Sequence, residues 1–484
     1  MNNFFATRRV LTIIVALGLF TMALRGVNDP DTWWHLRTGE LIVHQHHVFH
    51  TDPFSFTRSG QPWTNHEWLS DVIIFSLYRT MGFGGLMIFF GIVIATAYLL
   101  LFGRCPGRPY LPALLIVWGA LASIPIWGVR PQMFSLLLAS VFLFVLENSY
   151  KQNRLLWILP LLMLLWVNLH AGYMLGIVFV ALFLLGDLIE AAFKPTEWSP
   201  TKLRLKRLSA VLVICVAVVP LNPNGLKMYT YPWQTLHSHA MQSYIHEWAS
   251  PDFHSADYLP LLCMLLAILI VPVISARRHK PREILLLAFT MYAALLSARH
   301  LPIFMLVAVP VLSGMLDPAL SKHRKITEEA EIPRKTPTGK LLLNAAILSV
   351  FVIFVAVRVH STISHQPEIE AQAFPKSAVS FLATQKLPGP LLNHYDWGGY
   401  LIWRLYPEYH VFIDGRADLY GDSFLNDFAS LYHAQNHWKP LLEKWQIRTV
   451  MLPPDAPLIT ALHCTGDWKQ AYADRQAVIL VRDK

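Results

Sequence analysis

Two carboxylates separated by one proline open a stretch crowded with groups that could move protons or hold charge: Asn28-Asp29-Pro30-Asp31-Thr32-Trp33-Trp34-His35-Leu36-Arg37. One reading is architectural. Asp31 is a natural N-cap, and Trp33, Trp34 and Leu41 would let a short helix lie in a membrane interface. The other is chemical: a catalytic carboxylate held just above the lipid headgroups by an aromatic and cationic frame of Trp33, Trp34, His35 and Arg37. Further along, Gln61-Pro62-Trp63-Thr64-Asn65-His66-Glu67-Trp68 offers His66 and Glu67 as metal ligands or as groups that position a hydroxyl. Neighbours at a helix start diverge by about 100°, which favours capping and interface anchoring over a shared ligand. Four more polar clusters interrupt apolar sequence: Arg130-Pro131-Gln132, Asn168-Leu169-His170, Asn222-Pro223-Asn224-Gly225 and Arg299-His300. Singly, each has an ordinary explanation as a turn or a snorkelling arginine. Together they matter more, because polar groups at membrane depth are costly and mark pathways or sites. A guanidinium fork matches phosphate oxygens in bidentate fashion, so Arg130 and Arg299, with His300 alongside, are the candidates to clamp a phosphate or pyrophosphate.

These residues are strung between apolar runs. The chain is 54% hydrophobic and 15% charged, against about 25% charged in soluble proteins. Candidate spans fall near 9–26, 84–103, 110–128, 131–148, 154–170, 171–192, 208–221, 257–275, 283–298, 301–316 and 341–358. That predicts a polytopic α-helical membrane protein of about eleven transmembrane helices, each near the roughly 20 residues a bilayer needs. The spans 208–221 and 301–316 are short, and seven prolines lie in or near the set, as lipid-embedded bundles tolerate. Arg8 and Arg9 precede the first span without a small-x-small cleavage site after it, so it reads as a retained anchor, with a cleaved signal as the alternative. Cys105, Cys215, Cys263 and Cys464 make no disulfide framework.

Positive charge sets the expected topology. With the N-terminus in the cytoplasm, alternation puts Arg104 and Arg108, then Lys151 and Arg154, on the cytoplasmic side. Lys194, Lys202, Arg204, Lys206 and Arg207 follow, and then Arg277, Arg278, Lys280 and Arg282. The basic linker 317–340, with Lys322, Arg324, Lys325, Arg334, Lys335 and Lys340, completes that side. The net charge of +9 is therefore mostly a topology signal, and no nucleic-acid partner is implied. The opposite face receives the long first loop 27–83, the loops near 129–130, 222–256 and 299–300, and everything after about residue 360. Only His279 and His323 of the 21 histidines then lie in the cytoplasm.

The expected domains are a transmembrane region 1–358 and an extracytoplasmic α/β domain 360–484. Leu391–Asn393, Val411–Ile413, Thr449–Met451 and Ala477–Val481 read as strands, and stretches near 375–386, 397–406, 422–434 and 437–446 as helices. Two segments stand out: His394-Tyr395-Asp396-Trp397-Gly398-Gly399-Tyr400 and Asp414-Gly415-Arg416-Ala417-Asp418. Both follow predicted strands, where α/β sheets place ligands; turn chemistry is the plainer alternative.

The first span, the long outer loop with its acidic motif and the interfacial helix resemble the GT-C superfamily. These are membrane glycosyltransferases that use polyprenyl-phosphate or polyprenyl-pyrophosphate sugars. Protein O-mannosyltransferases, lipid A aminoarabinose transferases and the catalytic subunit of oligosaccharyltransferase are members. The likeness covers residues 1–358. It implies a lipid-phosphate sugar donor and a loop aspartate acting as base or orienting the acceptor, a role that falls on Asp31, with Asp29 second; the family often has two adjacent acids there, and the proline between this pair leaves open which one acts. More narrowly, the chain resembles bacterial membrane proteins carrying Asp-Thr-Trp-Trp-His, Trp-Thr-Asn-His-Glu-Trp and Asp-Trp-Gly-Gly-Tyr segments, a likeness that brings no substrate with it. Asp396-Trp397-Gly398-Gly399-Tyr400 is loosely similar to the segment by which oligosaccharyltransferase grips its acceptor peptide.

The expected reading is a glycosyltransferase of a bacterial inner membrane with a glycan, lipid or protein acceptor outside the cytoplasm. Trp34, His35, His66, Glu67, Asn168, His170, Asp396, Trp397, Asp414 and Arg416 would line its acceptor pocket. A divalent cation is allowed but not required, and no metal ligand set is assigned. The alternative is a transporter, or a scaffold with an outer sensor domain. Against a transporter, no repeat relates the two halves of the spans.

Overall fold

The computed structural model describes residues 7–107, 109–193, 198–275, 277–322 and 338–483. Arg108, Lys194, His323 and, in the basic linker, Arg324, Lys325, Arg334 and Lys335 lie outside the described residues. Among those described, five helical stretches are long and apolar enough to cross a membrane: Trp68–Gly103, Ala171–Phe193, Ala256–Ile274, Ala298–Pro318 and Thr338–Ser364. Four shorter apolar helices join them, Arg9–Ala23, Tyr110–Ile126, Gln132–Asn148 and Asn153–Leu169. The chain is a polytopic, mostly helical membrane protein.

Several boundaries differ from the hydropathy reading. The span read at 84–103 belongs to a helix that begins at Trp68 and passes through Gly82, whose φ of 62° and ψ of −162° break it into two segments. Only glycine takes such a backbone without strain. The short span read at 208–221 is the far end of a helix Trp198–Ala217, whose first half is basic and so invisible to a hydropathy window.

The interfacial helix Asp31–Gln45 packs on Trp68–Leu99. Its tryptophans do not lie out in the interface as expected. Trp33 is 1% exposed and Trp34 5%, and Trp33 makes edge-to-face contacts with Phe83, Phe374 and Tyr400 at 5.5, 5.3 and 4.8 Å. Burial against the C-terminal region outcompetes the interface, because an aromatic ring gains more from complete desolvation and ring contacts.

That region holds a four-stranded sheet, β1 Leu391–Asn393, β2 Thr449–Leu452, β3 Trp468–Ala473 and β4 Val478–Arg482. Its order is β1-β2-β4-β3, with β1 and β2 parallel and the other pairs antiparallel. The predicted strand at 411–413 does not join it. Asn393 closes its backbone instead, accepting from Phe412 N at 2.8 Å and donating to Ile413 O at 2.7 Å. Val411 pairs with the first long loop, exchanging backbone hydrogen bonds with Phe54 and Phe56. β3 and the helix Pro457–Thr465 were not foreseen.

Loop and C-terminal region are locked by charge as well. Arg416 donates from Nε and Nη2 to Asp414 at 2.8 and 2.7 Å, and its Nη1 lies 2.8 Å from Asp52 in the loop. Tyr420 donates to the same Asp414 at 2.7 Å. One apolar core runs from Val15 in the first helix through Trp33 and Tyr400 to Ile479 in β4. Replacing Arg416 by Ala strands two buried carboxylates, which costs about 3–5 kcal/mol. The variant is expected to show a much lower midpoint in a detergent thermal melt, with Arg416→Lys in between.

Candidate active site

A cavity of about 1230 Å³ opens where the first long loop, the breaks between apolar helices and the C-terminal region meet. Asp29, Asp31, Trp34, His66, Glu67, Arg130, His170, Arg299, His300, Asp396 and Arg416 all line it. Residues far apart in the chain converge because each sits just outside a helix end. Arg130 precedes Gln132–Asn148, His170 interrupts Leu159–Leu169 and Met174–Phe193, and Arg299 precedes Leu301–Lys322.

The two arginines meet on a residue that sequence reasoning missed. Glu247 lies 2.7 Å from Arg130 Nη2 through Oε2 and 3.7 Å from Arg299 Nη1 through Oε1. Arg130 also reaches Asp29 at 3.4 Å, and Arg299 lies over the Trp248 ring at 4.3 Å. The only hint in the sequence was an acid beside a tryptophan in the loop 222–256. Burial alone would raise the Glu247 carboxyl, but Arg130 and Arg299 hold it below the usual value.

Asp31 starts its helix beside this cluster. Its amide donates to Asp29 Oδ1 at 2.9 Å, and its Oδ1 accepts from Trp34 Nε1 at 3.0 Å. Burial, then repulsion from Asp29, pushes its carboxyl well above the ordinary range, with Trp34 and Arg130 pulling the other way. Gly415 of the C-terminal region covers it so closely that a Cβ there would lie 1.7 Å from Asp31 Oδ1. Any side chain at Gly415 would therefore have to displace the Asp31 carboxylate from its present position.

The opposite wall is also acidic. His66 and Glu67 do not diverge as helix neighbours would. They sit in a turn before the helix begins at Trp68, with His66 Nε2 3.4 Å from Glu67 Oε1. Burial lowers His66 to about 3 and, with Asp71 adding repulsion, raises Glu67 well above its ordinary value. The His66 ring lies 4.4 Å from that of Tyr231, whose hydroxyl donates to Asp418 at 3.1 Å. Tyr231 and Asp418 line the same cavity; Asp418 ends a segment that the sequence marks, whereas nothing in the sequence points to Tyr231. His170 Nδ1 accepts from Gly172 N at 3.0 Å, which leaves the proton of the neutral ring on Nε2.

Four candidates do not line the cavity. His35 is buried behind Trp34 and bonded to Asp71 at 2.6 Å. The Asn168 side chain accepts from Trp68 Nε1 at 2.8 Å. Trp397 is buried against His394 at 5.1 Å, and Asp414 is fully committed to Arg416 and Tyr420. All four hold the frame. Among the described residues, no three His, Cys, Asp or Glu side chains are grouped to hold a metal ion.

One side of the cavity is apolar. Met174, Leu175 and Val178 face it from Met174–Phe193, and Phe289, Tyr292, Ala293 and Leu296 from Pro281–Leu296. The second set recurs at intervals of three and four, a single helix face. Trp233 and Leu236 flank it and are 65% and 46% exposed. At the far end of the same two helices, Asp187 holds Arg204 at 2.8 Å and Arg282 at 3.2 Å.

No protein-family model matches the sequence, and no curated protein matches it. Solved structures do. The archaeal oligosaccharyltransferase AglB from Archaeoglobus fulgidus, in complex with an inhibitory peptide and a dolichol-phosphate, aligns with a TM-score of 0.56 at 12% identity, covering 92% of this chain and 69% of its own. The chain has the GT-C fold. ArnT from Cupriavidus metallidurans, bound to undecaprenyl phosphate, aligns at a TM-score of 0.47 and 14% identity over 97% of each chain. In this GT-C fold the cavity lies between the first long loop, the helix ends and the C-terminal region.

Gly415→Ala would force the Asp31 carboxylate or the C-terminal segment to shift, an overpacking cost of about 1–3 kcal/mol. Its thermal midpoint is expected to fall relative to Gly339→Ala, whose added methyl meets nothing within 4 Å.

Proposed function

We propose that this protein is an inverting membrane glycosyltransferase that moves a sugar from a polyprenyl-phosphate carrier to an acceptor outside the cytoplasm. The observation that carries the reading is the union, in one cavity, of the Asp31 carboxylate, a pair of guanidiniums and an apolar side wall. A lipid-linked sugar phosphate has three matching parts: an isoprenoid tail, an anionic phosphate and a polyol. The dolichol-phosphate in the AglB structure is in keeping with such a ligand.

In this reading the tail enters laterally between the helices Met174–Phe193 and Pro281–Leu296, and the phosphate rests on Arg130 and Arg299. Asp31 takes the proton of an acceptor hydroxyl as its oxygen attacks the anomeric carbon. The bond between that carbon and the phosphate oxygen breaks, and polyprenyl phosphate leaves with its charge held by the two guanidiniums. A phosphate is a good leaving group, so orientation and fixed charge carry most of the rate enhancement. His66, Glu67, His170, Tyr231 and Asp418 form the acceptor wall, and Asp396 lies at its edge. Arg204 and Arg282 lie at the other end of the bundle, in keeping with a cytoplasmic side there and a site facing outward.

Asp31→Asn is expected to lower transfer by roughly 10²-fold or more, the usual weight of a positioned base, while the protein still inserts and melts normally. Mass analysis of envelope glycans in a deletion strain complemented with each variant reads this out; full activity of Asp31→Asn would remove the enzyme reading. The pH profile gives a second check. A base must be ionised, so activity falls as pH drops through the raised value of Asp31, and the acid limb should lie above the ordinary carboxylate range of about 4. Asp29→Asn removes a repelling neighbour and should move that limb down.

A further inference from the structure

The position between the two arginines is already filled by a carboxylate. Glu247 spans Arg130 and Arg299 with its two oxygens, 2.7 and 3.7 Å away. A phosphate would use the same approach, since both groups offer two oxygens at similar separation to a pair of guanidinium edges. The geometry points to Glu247 as a resident anion that occupies the donor-phosphate seat and must be displaced by it. This inference rests on the phosphate seat proposed above and names a residue that sets its selectivity.

Four features support displacement over a fixed structural pair. The Glu247 backbone is anchored independently: its carbonyl accepts from Ser297 Oγ at 3.0 Å, and Ala249 O accepts from Ala298 N at 2.9 Å. Rotation of the side chain alone therefore vacates the seat. Arg299 keeps its place without Glu247, because its guanidinium face rests on Trp248 while its N–H edges stay available. Arg130 likewise keeps Asp29 and the Ile126 carbonyl, the latter at 3.0 Å. Donor capacity also exceeds what Glu247 uses. Arg130 Nε is buried and has no hydrogen-bond partner among the described residues.

The consequence is selectivity by charge. A neutral polyprenol gains the apolar wall but cannot displace a carboxylate from two guanidiniums. A phosphorylated one replaces the charge it removes, so the seat stays neutralised whether empty or loaded.

The test is binding of farnesyl phosphate, with farnesol as neutral control, to the full-length protein in nanodiscs. If Glu247 competes for the seat, Glu247→Gln should bind farnesyl phosphate about tenfold more tightly, in line with the strength of close charge pairs, and farnesol unchanged. The gain should persist at about 0.5 M salt, where a purely long-range field would be screened. Glu247→Asp, whose shorter side chain withdraws from Arg130, should show a smaller gain in the same direction and covers the case in which the first variant folds poorly. Equal or weaker binding by both variants overturns the displacement inference and leaves the phosphate seat intact. Binding that is absent, or equal in wild type and Arg130→Gln, overturns the seat as well.

Discussion

Arg130 and Arg299 meet Asp29, Asp31 and Glu247 in one cavity, and the rest of the molecule is arranged so that none of these charges is left alone. An uncompensated buried charge costs several kcal/mol. Arg130 therefore answers to both Asp29 and Glu247, and Arg299 to Glu247 and the face of Trp248. Burial chiefly, and repulsion from Asp29 after it, raise the proton affinity of Asp31, with Trp34 and Arg130 only partly offsetting them. Asp29 and Glu247 pair with the arginines, and Asp31 lies beside that cluster, hydrogen-bonded to Trp34.

No single element could hold such a cluster. The first long loop supplies the acids, two breaks between apolar helices supply Arg130 and His170, a third supplies Arg299, and the loop 222–256 supplies Glu247. The C-terminal region completes the wall because it is locked to the loop through Asp52, Arg416 and Asp414. That lock presents the bare backbone of Gly415 to Asp31. The C-terminal region and the elements that carry the site share the core around Trp33 and Tyr400.

Much of this could be read from residue types, and the exceptions have physical reasons. Arg130, Arg299, Asp29, Asp31, His66 and His170 were legible because charged or imidazole groups at the ends of apolar runs are costly and stand out. Glu247 was not, since an acid in a long polar loop looks like any solvated residue until the fold brings two arginines to it. His35 was misread because its partner, Asp71, lies on a different helix and no spacing rule links them. Trp33 and Trp34 matched an interfacial pattern, and only the packing of Phe374 and Tyr400 against Trp33 showed the helix to be covered. In the C-terminal region β1, β2 and β4 were legible from short apolar runs. β3, Trp468–Ala473, was not, because this edge strand is exposed at most positions and has no run of branched apolar residues.

The central claim is that this cavity seats a polyprenyl phosphate, with its anion on Arg130 and Arg299 and its tail between two helices. A cryo-electron microscopy map of the protein in nanodiscs with added undecaprenyl phosphate tests it most directly. The account predicts phosphate density in contact with both guanidiniums, and chain density along Phe289, Tyr292 and Leu296. Phosphate density at any other site, with Glu247 still bridging the arginines, would contradict it.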